Sequence, residues 1–266
     1  MGIDSLRAAI YRRSSYLNYG TDIIVQWARA LARQIPAGKT PIRILDIGCG
    51  RGIDIGAIRK ALPDRALEVW GIEQYGPHVE ALRAQGVTVF SLDIEKEDIP
   101  LEDGSIDIVI ANQVLEHTKE IFWITSEISR VLKKNTGILI AGVPNLAAFH
   151  NRVLFLFGQQ PTCAELMGPH VRAITAPAFR RFIETDGWFA LKKIKGSNFY
   201  PFPASLSKVL SAVFPGLSVS LFFLAQRTSR PGLFIEVLNT RFYETVYYTG
   251  GRAGYKGVHT QSAHDR

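Results

Sequence analysis

Three glycines alternate behind an acid in Asp46-Ile47-Gly48-Cys49-Gly50-Arg51-Gly52, and the apolar run Ile44-Leu45 precedes that acid. Glycines spaced in this way permit positive φ and remove the Cβ atoms that would strike a ligand, so a loop and the helix behind it can present free N–H groups to a nucleotide. Two further acids, Glu73 and Asp93, each follow another apolar run. A carboxylate so placed can accept hydrogen bonds from both hydroxyls of a ribose, each charge-assisted bond contributing about 1.5–3 kcal/mol. Further along, His117, His150 and His170 offer the side chain best matched to proton transfer near neutral pH.

These residues need a scaffold that brings strand ends together. Ile44, Leu45 and Ile47 read as a buried parallel strand, and the helix after Gly52 carries Ile55, Ile58 and Leu62 on one face before Pro63. Leu67–Ile72 is a second strand ending at Glu73, followed by a helix bracketed by Pro77 and Gly86. Val87–Phe90 is a third, and Ile106–Ile110 a fourth, opening into Ala111-Asn112-Gln113-Val114-Leu115-Glu116-His117. Residues 118–134 read as an amphipathic helix with two lysines in its last turn, and 136–143 as a fifth strand stopped by Pro144. Strands alternating with helices imply a parallel, doubly wound α/β sheet with ligands at the carboxyl ends of its strands.

The uncharged stretch 209–226 approaches the length of a membrane span, but Pro215-Gly216 interrupts it. A short helix, a turn and a strand over 218–225 are predicted, the strand pairing with 189–195.

The glycine spacing separates two nucleotide-binding classes. A dinucleotide fingerprint, G-x-G-x-x-G, would require glycine at position 53, where Ile53 stands. With Asp46 and G-x-G-x-G in place, the chain resembles the class I S-adenosylmethionine-dependent methyltransferases, and Val114-Leu115-Glu116-His117 is similar to the V-L-E-H of their small-molecule branch. The resemblance spans about residues 42–227. It implies a Rossmann-like methyltransferase fold with a mainly parallel seven-stranded sheet closed by an antiparallel hairpin. It also implies S-adenosyl-L-methionine held by Asp46, Gly48, Cys49, Gly50, Gly52, Glu73, Gln74, Asp93, Ile94, Asn112, Gln113 and Val114. Asp93 would receive the adenine amino group. Residues 1–40 would form an N-terminal helical cap, 41–227 the methyltransferase domain, and 146–175 a lid or substrate insertion. A C-terminal extension over 228–266 would end in a mobile tail.

Charge points toward the acceptor. Residues 41–150 carry 11 basic against 16 acidic groups, whereas residues 151–266 carry 14 against 6. In the resembled family the flanking segments cover the substrate, which suggests an anionic acceptor or surroundings. The apolar run from Ala147 to Phe157 suits a hydrophobic or lipid-linked one. A small-molecule, lipid or glycan acceptor is expected, with peripheral contact to an anionic membrane surface open as a partner.

Nucleic acid is disfavoured. The D/N-P-P-Y/F signature of base-amine methylation is missing after the fourth strand, and Pro161-Thr162-Cys163 is no prolyl-cysteine nucleophile. Direct displacement at a sulfonium requires no metal, and no histidine pair at ligand spacing accompanies the motif, so no metal is expected. His117 is the first candidate base, followed by His150 and His170. Two cysteines and the absence of a charged-then-apolar start point to a cytoplasmic location. A methyltransferase-like binding subunit without turnover and a nicotinamide oxidoreductase are the competing functions.

Overall fold

The computed structural model describes residues 20–35, 40–241, 243 and 245–252. Parts of the expected N-terminal cap (1–19, 36–39) and of the expected mobile end (253–266) lie outside the described residues.

Seven strands form one sheet. In chain order they are β1 (Ile42–Ile47), β2 (Leu67–Ile72), β3 (Thr88–Phe90), β4 (Ile108–Asn112), β5 (Ile138–Pro144), β6 (Phe189–Ser197) and β7 (Ser220–Arg227). The spatial order is β3-β2-β1-β4-β5-β7-β6, with β1 to β5 parallel and β7 antiparallel to both β5 and β6. The doubly wound sheet and the closing hairpin therefore stand as the sequence predicts. Ile47 lies opposite Ile72 and Ala111, and Ile72 opposite Phe90, so Gly48, Glu73 and Asn112 emerge at one carboxyl edge.

Among the described residues the α-helices are α1 (Thr21–Ala32), α2 (Ile53–Ala61), α3 (Gly76–Ala84), α4 (Ile121–Val131), α5 (Phe149–Leu156), α6 (Ala176–Ile183), α7 (Ala204–Val213) and α8 (Val237–Thr240). Two apolar clusters sandwich the sheet: one gathers α1, α2 and α3, the other α4, α6 and the C-terminal residues Phe234 to Leu238. Parallel strands covered on both faces must be apolar throughout, as Ile42, Ile44, Leu45 and Ile47 are.

Two sequence expectations shift. The helix predicted over 118–134 is only α4, because Thr118 to Glu120 form its approach and Leu132 turns to extended backbone, leaving both lysines beyond it. Its polar face does not meet water: ten of its eleven residues are buried. Phe234, Tyr243 and Tyr247 pack on Phe122, while Tyr248 meets Trp123 edge-on and Arg252 stacks over that indole, so the C-terminal residues cover the face predicted to meet water. The fourth strand begins at Ile108, since Ile106 makes only an isolated bridge to Leu132.

Candidate active site

The glycine loop joins β1 to α2 in a tight, left-handed path. Gly48 has φ 65°, and a Cβ there would lie 2.6 Å from Val114 Cγ2, so both backbone angle and space require glycine. The amides of Gly48 and Cys49 donate to the Ile72 carbonyl, tying the loop to the end of β2. Above it opens a cavity of about 760 Å³, lined by Asp46, Gly48, Cys49, Gly50 and Asn112 from the sheet edge. Thr21, Val25 and Arg29 of α1, with Asp54 of α2, form the opposite wall.

Acids dominate the floor. Asp46 is buried, and its carboxyl is held well above the usual range by burial first, then by the charges of Asp54 and Glu73. Such a cluster favours a cationic ligand, whose charge would relieve the repulsion. Asp54 accepts from the Thr21 hydroxyl at 2.5 Å and from Asn112 Nδ2 at 2.9 Å, joining α1, α2 and β4 at one carboxylate. Sequence reasoning missed both Thr21 and Asp54. The only local signal was an acid in the first turn behind the glycine loop, where a helix dipole favours it. Cys49 is a packing residue: burial pushes its thiol up to about 12, and it fills the space left by Gly71.

Glu73 meets the loop directly. One oxygen accepts from the Gly50 amide at 2.9 Å, the other from the Tyr75 amide at 2.8 Å. Gln74 turns its amide to the Leu92 carbonyl, anchoring the segment that carries Asp93 and Ile94. Asp93 has local partners, accepting from the Glu95 amide and from Lys96, whose hydrogen bond holds the Asp93 carboxyl below its ordinary value.

The acceptor-side candidates divide. After β4, Gln113 takes φ 57° and donates its amide to the Gly142 carbonyl, turning the chain so that Glu116 points inward and His117 outward. The amides of Val171 and Arg172 donate to the Glu116 carbonyl, bringing His170 against His117 with ring centroids 4.7 Å apart. Arg172 clamps this junction through the carbonyls of Thr118 and Lys119. His150 stays apart on α5, packed edge-on against Tyr200.

Beneath the two rings lies Glu116, fully buried, with neither carboxyl oxygen hydrogen-bonded. Burial pushes its pKa up to about 7. His117 Nε2 stands 3.7 Å from Glu116 Oε1, and its Nδ1 is 3.2 Å from the Pro169 carbonyl. Glu116, His117 and His170 each bring a donor atom within 4.8 Å of the others, a set that could hold a divalent metal ion. The sequence motif contains only two of the three, because His170 arrives from the insertion.

Comparison with known proteins agrees with this geometry. The sequence profile of a methyltransferase-domain family matches residues 45–141, from the middle of β1 to the middle of β5. A probable S-adenosylmethionine-dependent methyltransferase of Mycolicibacterium smegmatis is 29% identical over 145 residues, covering 54% of this chain and 51% of the relative. An uncharacterized 37.1 kDa protein in transposon TN4556 of Streptomyces fradiae is 36% identical over 104 residues, covering 38% of this chain and 30% of the relative. The chain thus spans about half or less of the length of these relatives. Among solved structures, the CMeT domain of the citrinin polyketide synthase superposes with a TM-score of 0.57 at 16% identity, covering 84% of this chain and 57% of that one, which shows the shared fold. Residues 45–141 thus carry a methyltransferase domain. Its cofactor is accordingly S-adenosylmethionine.

Proposed function

We propose that this chain transfers a methyl group from S-adenosylmethionine, by direct displacement at the sulfonium carbon, to a small-molecule, lipid or glycan acceptor. The observation that carries this reading is the carboxyl cluster around the glycine loop, buried Asp46 and Asp54 with half-buried Glu73, a setting suited to a cofactor bearing ammonium and sulfonium charges. Glu73 would exchange its backbone partners for the ribose hydroxyls. Asn112 and Gln113 would border the methionine portion, and Asp93 and Ile94 the adenine. Arg51 and Lys60, exposed at the rim, would suit the cofactor carboxylate.

His117 would take the acceptor proton, with Glu116 beneath it to stabilise the imidazolium and His170 to complete the wall. Alignment of acceptor and methyl group would supply most of the acceleration, of which proximity alone can account for about 7–11 kcal/mol. The basic C-terminal half supports an anionic acceptor or surface. Equilibrium binding of S-adenosylmethionine against NAD, followed by identification of the labelled product in an extract given methyl-labelled cofactor, tests the reading. Preference for NAD, or saturable cofactor binding with no labelled product in any acceptor pool, would overturn it.

A further inference from the structure

Two helices beside the acceptor end of the sheet are patterned inside out. The one buried side chain of α5 is Asn151, and those of α7 are Ser207 and Ser211. Their apolar residues face outward: Leu156 is 83% exposed, and Phe155, Val209 and Val213 are exposed as well, as are Phe157 and Phe214 just beyond the helix ends. A surface helix of a water-soluble protein shows the opposite arrangement. The burial of Asn151 is specific, because its amide donates to the Asn145 carbonyl at 2.9 Å and so holds α5 in this rotation.

The two helices share one surface. Phe149 packs on Phe199 and Phe202, and His150 on Tyr200, so the segment entering α7 lies directly against α5. Leu166 and Met167, on the loop whose Cys163 contacts Asn151, extend it fully into solvent. The only charges on the two helices are Arg152 and Lys208, both exposed. Helices of eight and ten residues are too short to cross a bilayer, which needs about twenty.

We infer that the face formed by α5 and α7 docks in the plane of an anionic phospholipid surface, with its apolar side chains in the headgroup and acyl boundary and Arg152 and Lys208 against lipid phosphates. Charge separates this occupant from a second copy of the chain. A two-fold pairing would set the same patch against itself and bring Arg152 and Lys208 toward like charges without an acid on either helix. The bilayer supplies both the apolar layer and the negative charge. Docking sets α5, which follows the carboxyl end of β5, against the membrane, so an acceptor could reach the methyl donor without leaving the lipid surface. The inference goes beyond methyl transfer and does not rest on it.

Sedimentation of the full chain with vesicles tests it, without cofactor or acceptor. We expect binding to vesicles of equal parts phosphatidylcholine and phosphatidylglycerol, and binding weaker by about tenfold to phosphatidylcholine alone. Leu156→Glu with Phe157→Glu, and separately Val209→Glu with Val213→Glu, should each reduce binding by about tenfold or more. These side chains already face solvent, so the variants should keep the wild-type circular dichroism spectrum and cofactor affinity. Arg152→Gln with Lys208→Gln should abolish the preference for anionic vesicles. Absence of partition into either vesicle, variants that bind like the wild type, or a dimer in solution that these substitutions dissociate would overturn the proposal.

Discussion

Glu73 accepts a hydrogen bond from the Gly50 amide at 2.9 Å, so the acid ending β2 fixes the middle of the glycine loop that ends β1. The same carboxylate is the one best placed to receive ribose hydroxyls. Glu73→Ala should weaken S-adenosylmethionine binding by about 1.5–3 kcal/mol, with titration calorimetry as the readout. Glu73→Gln, which can still accept from the amide, should lie between. An unchanged affinity in both would remove Glu73 from the cofactor site.

Asp54 joins three elements through Thr21 and Asn112. Thr21→Val should cost about 1 kcal/mol of stability by leaving one oxygen of that part-buried acid without its partner. Asp54→Ala should cost more and loosen α1 over the cavity. Chemical denaturation measures both; equal stability would mean that α1 is held by its apolar face alone.

His117 stands over a buried carboxyl that has no hydrogen bond, and beside His170. With an acceptor that must lose a proton, His117→Ala should lower kcat by about 10²–10⁴-fold while leaving cofactor affinity intact. Full activity in this variant, measured on the identified acceptor, would assign the ring to shaping the pocket.

Burial pushes His150 down to about 4 from an ordinary value near 6.5. Above pH 6.5 the ring is neutral in folded and unfolded chains and contributes nothing to pH dependence. As pH falls toward 4, the unfolded chain gains a proton that the folded one refuses, so stability falls across that window. His150→Gln should recover about 1 kcal/mol of the loss between pH 7 and 5, the figure being discounted for the ring's partial exposure. Parallel denaturation curves at both pH values for wild type and variant check this.

What the sequence made legible is what short stretches decide. The alternation of Gly48, Gly50 and Gly52 behind Asp46, and the apolar runs of β1, β2 and β5, specify loop and strands within a few residues of themselves. Thr21 joins the site only through a bond spanning 33 residues, and His170 only because the Val171 and Arg172 amides reach the Glu116 carbonyl. Neither contact leaves a periodic trace. The surface of α4 departs from the sequence reading for a related reason: its polar residues Thr125, Ser126, Glu127 and Ser129 match an exposed face, yet each is buried. Glu127, for instance, is held by Arg130, Arg252 and the Ile99 amide.

Arg227 gives the C-terminal boundary a different meaning. It is almost wholly buried at the end of β7, and its guanidinium donates to the carbonyls of Ser129, Trp188, Arg230 and Gly232. The residues beyond it are thereby led back onto α4. A fragment cut where the family likeness stops would strip Phe234, Ile235 and Leu238 from the core and leave an oily scar along one helix. For anyone expressing this domain alone, the foldable unit must include the segment through Arg252, and a shorter clone should be recovered as aggregate.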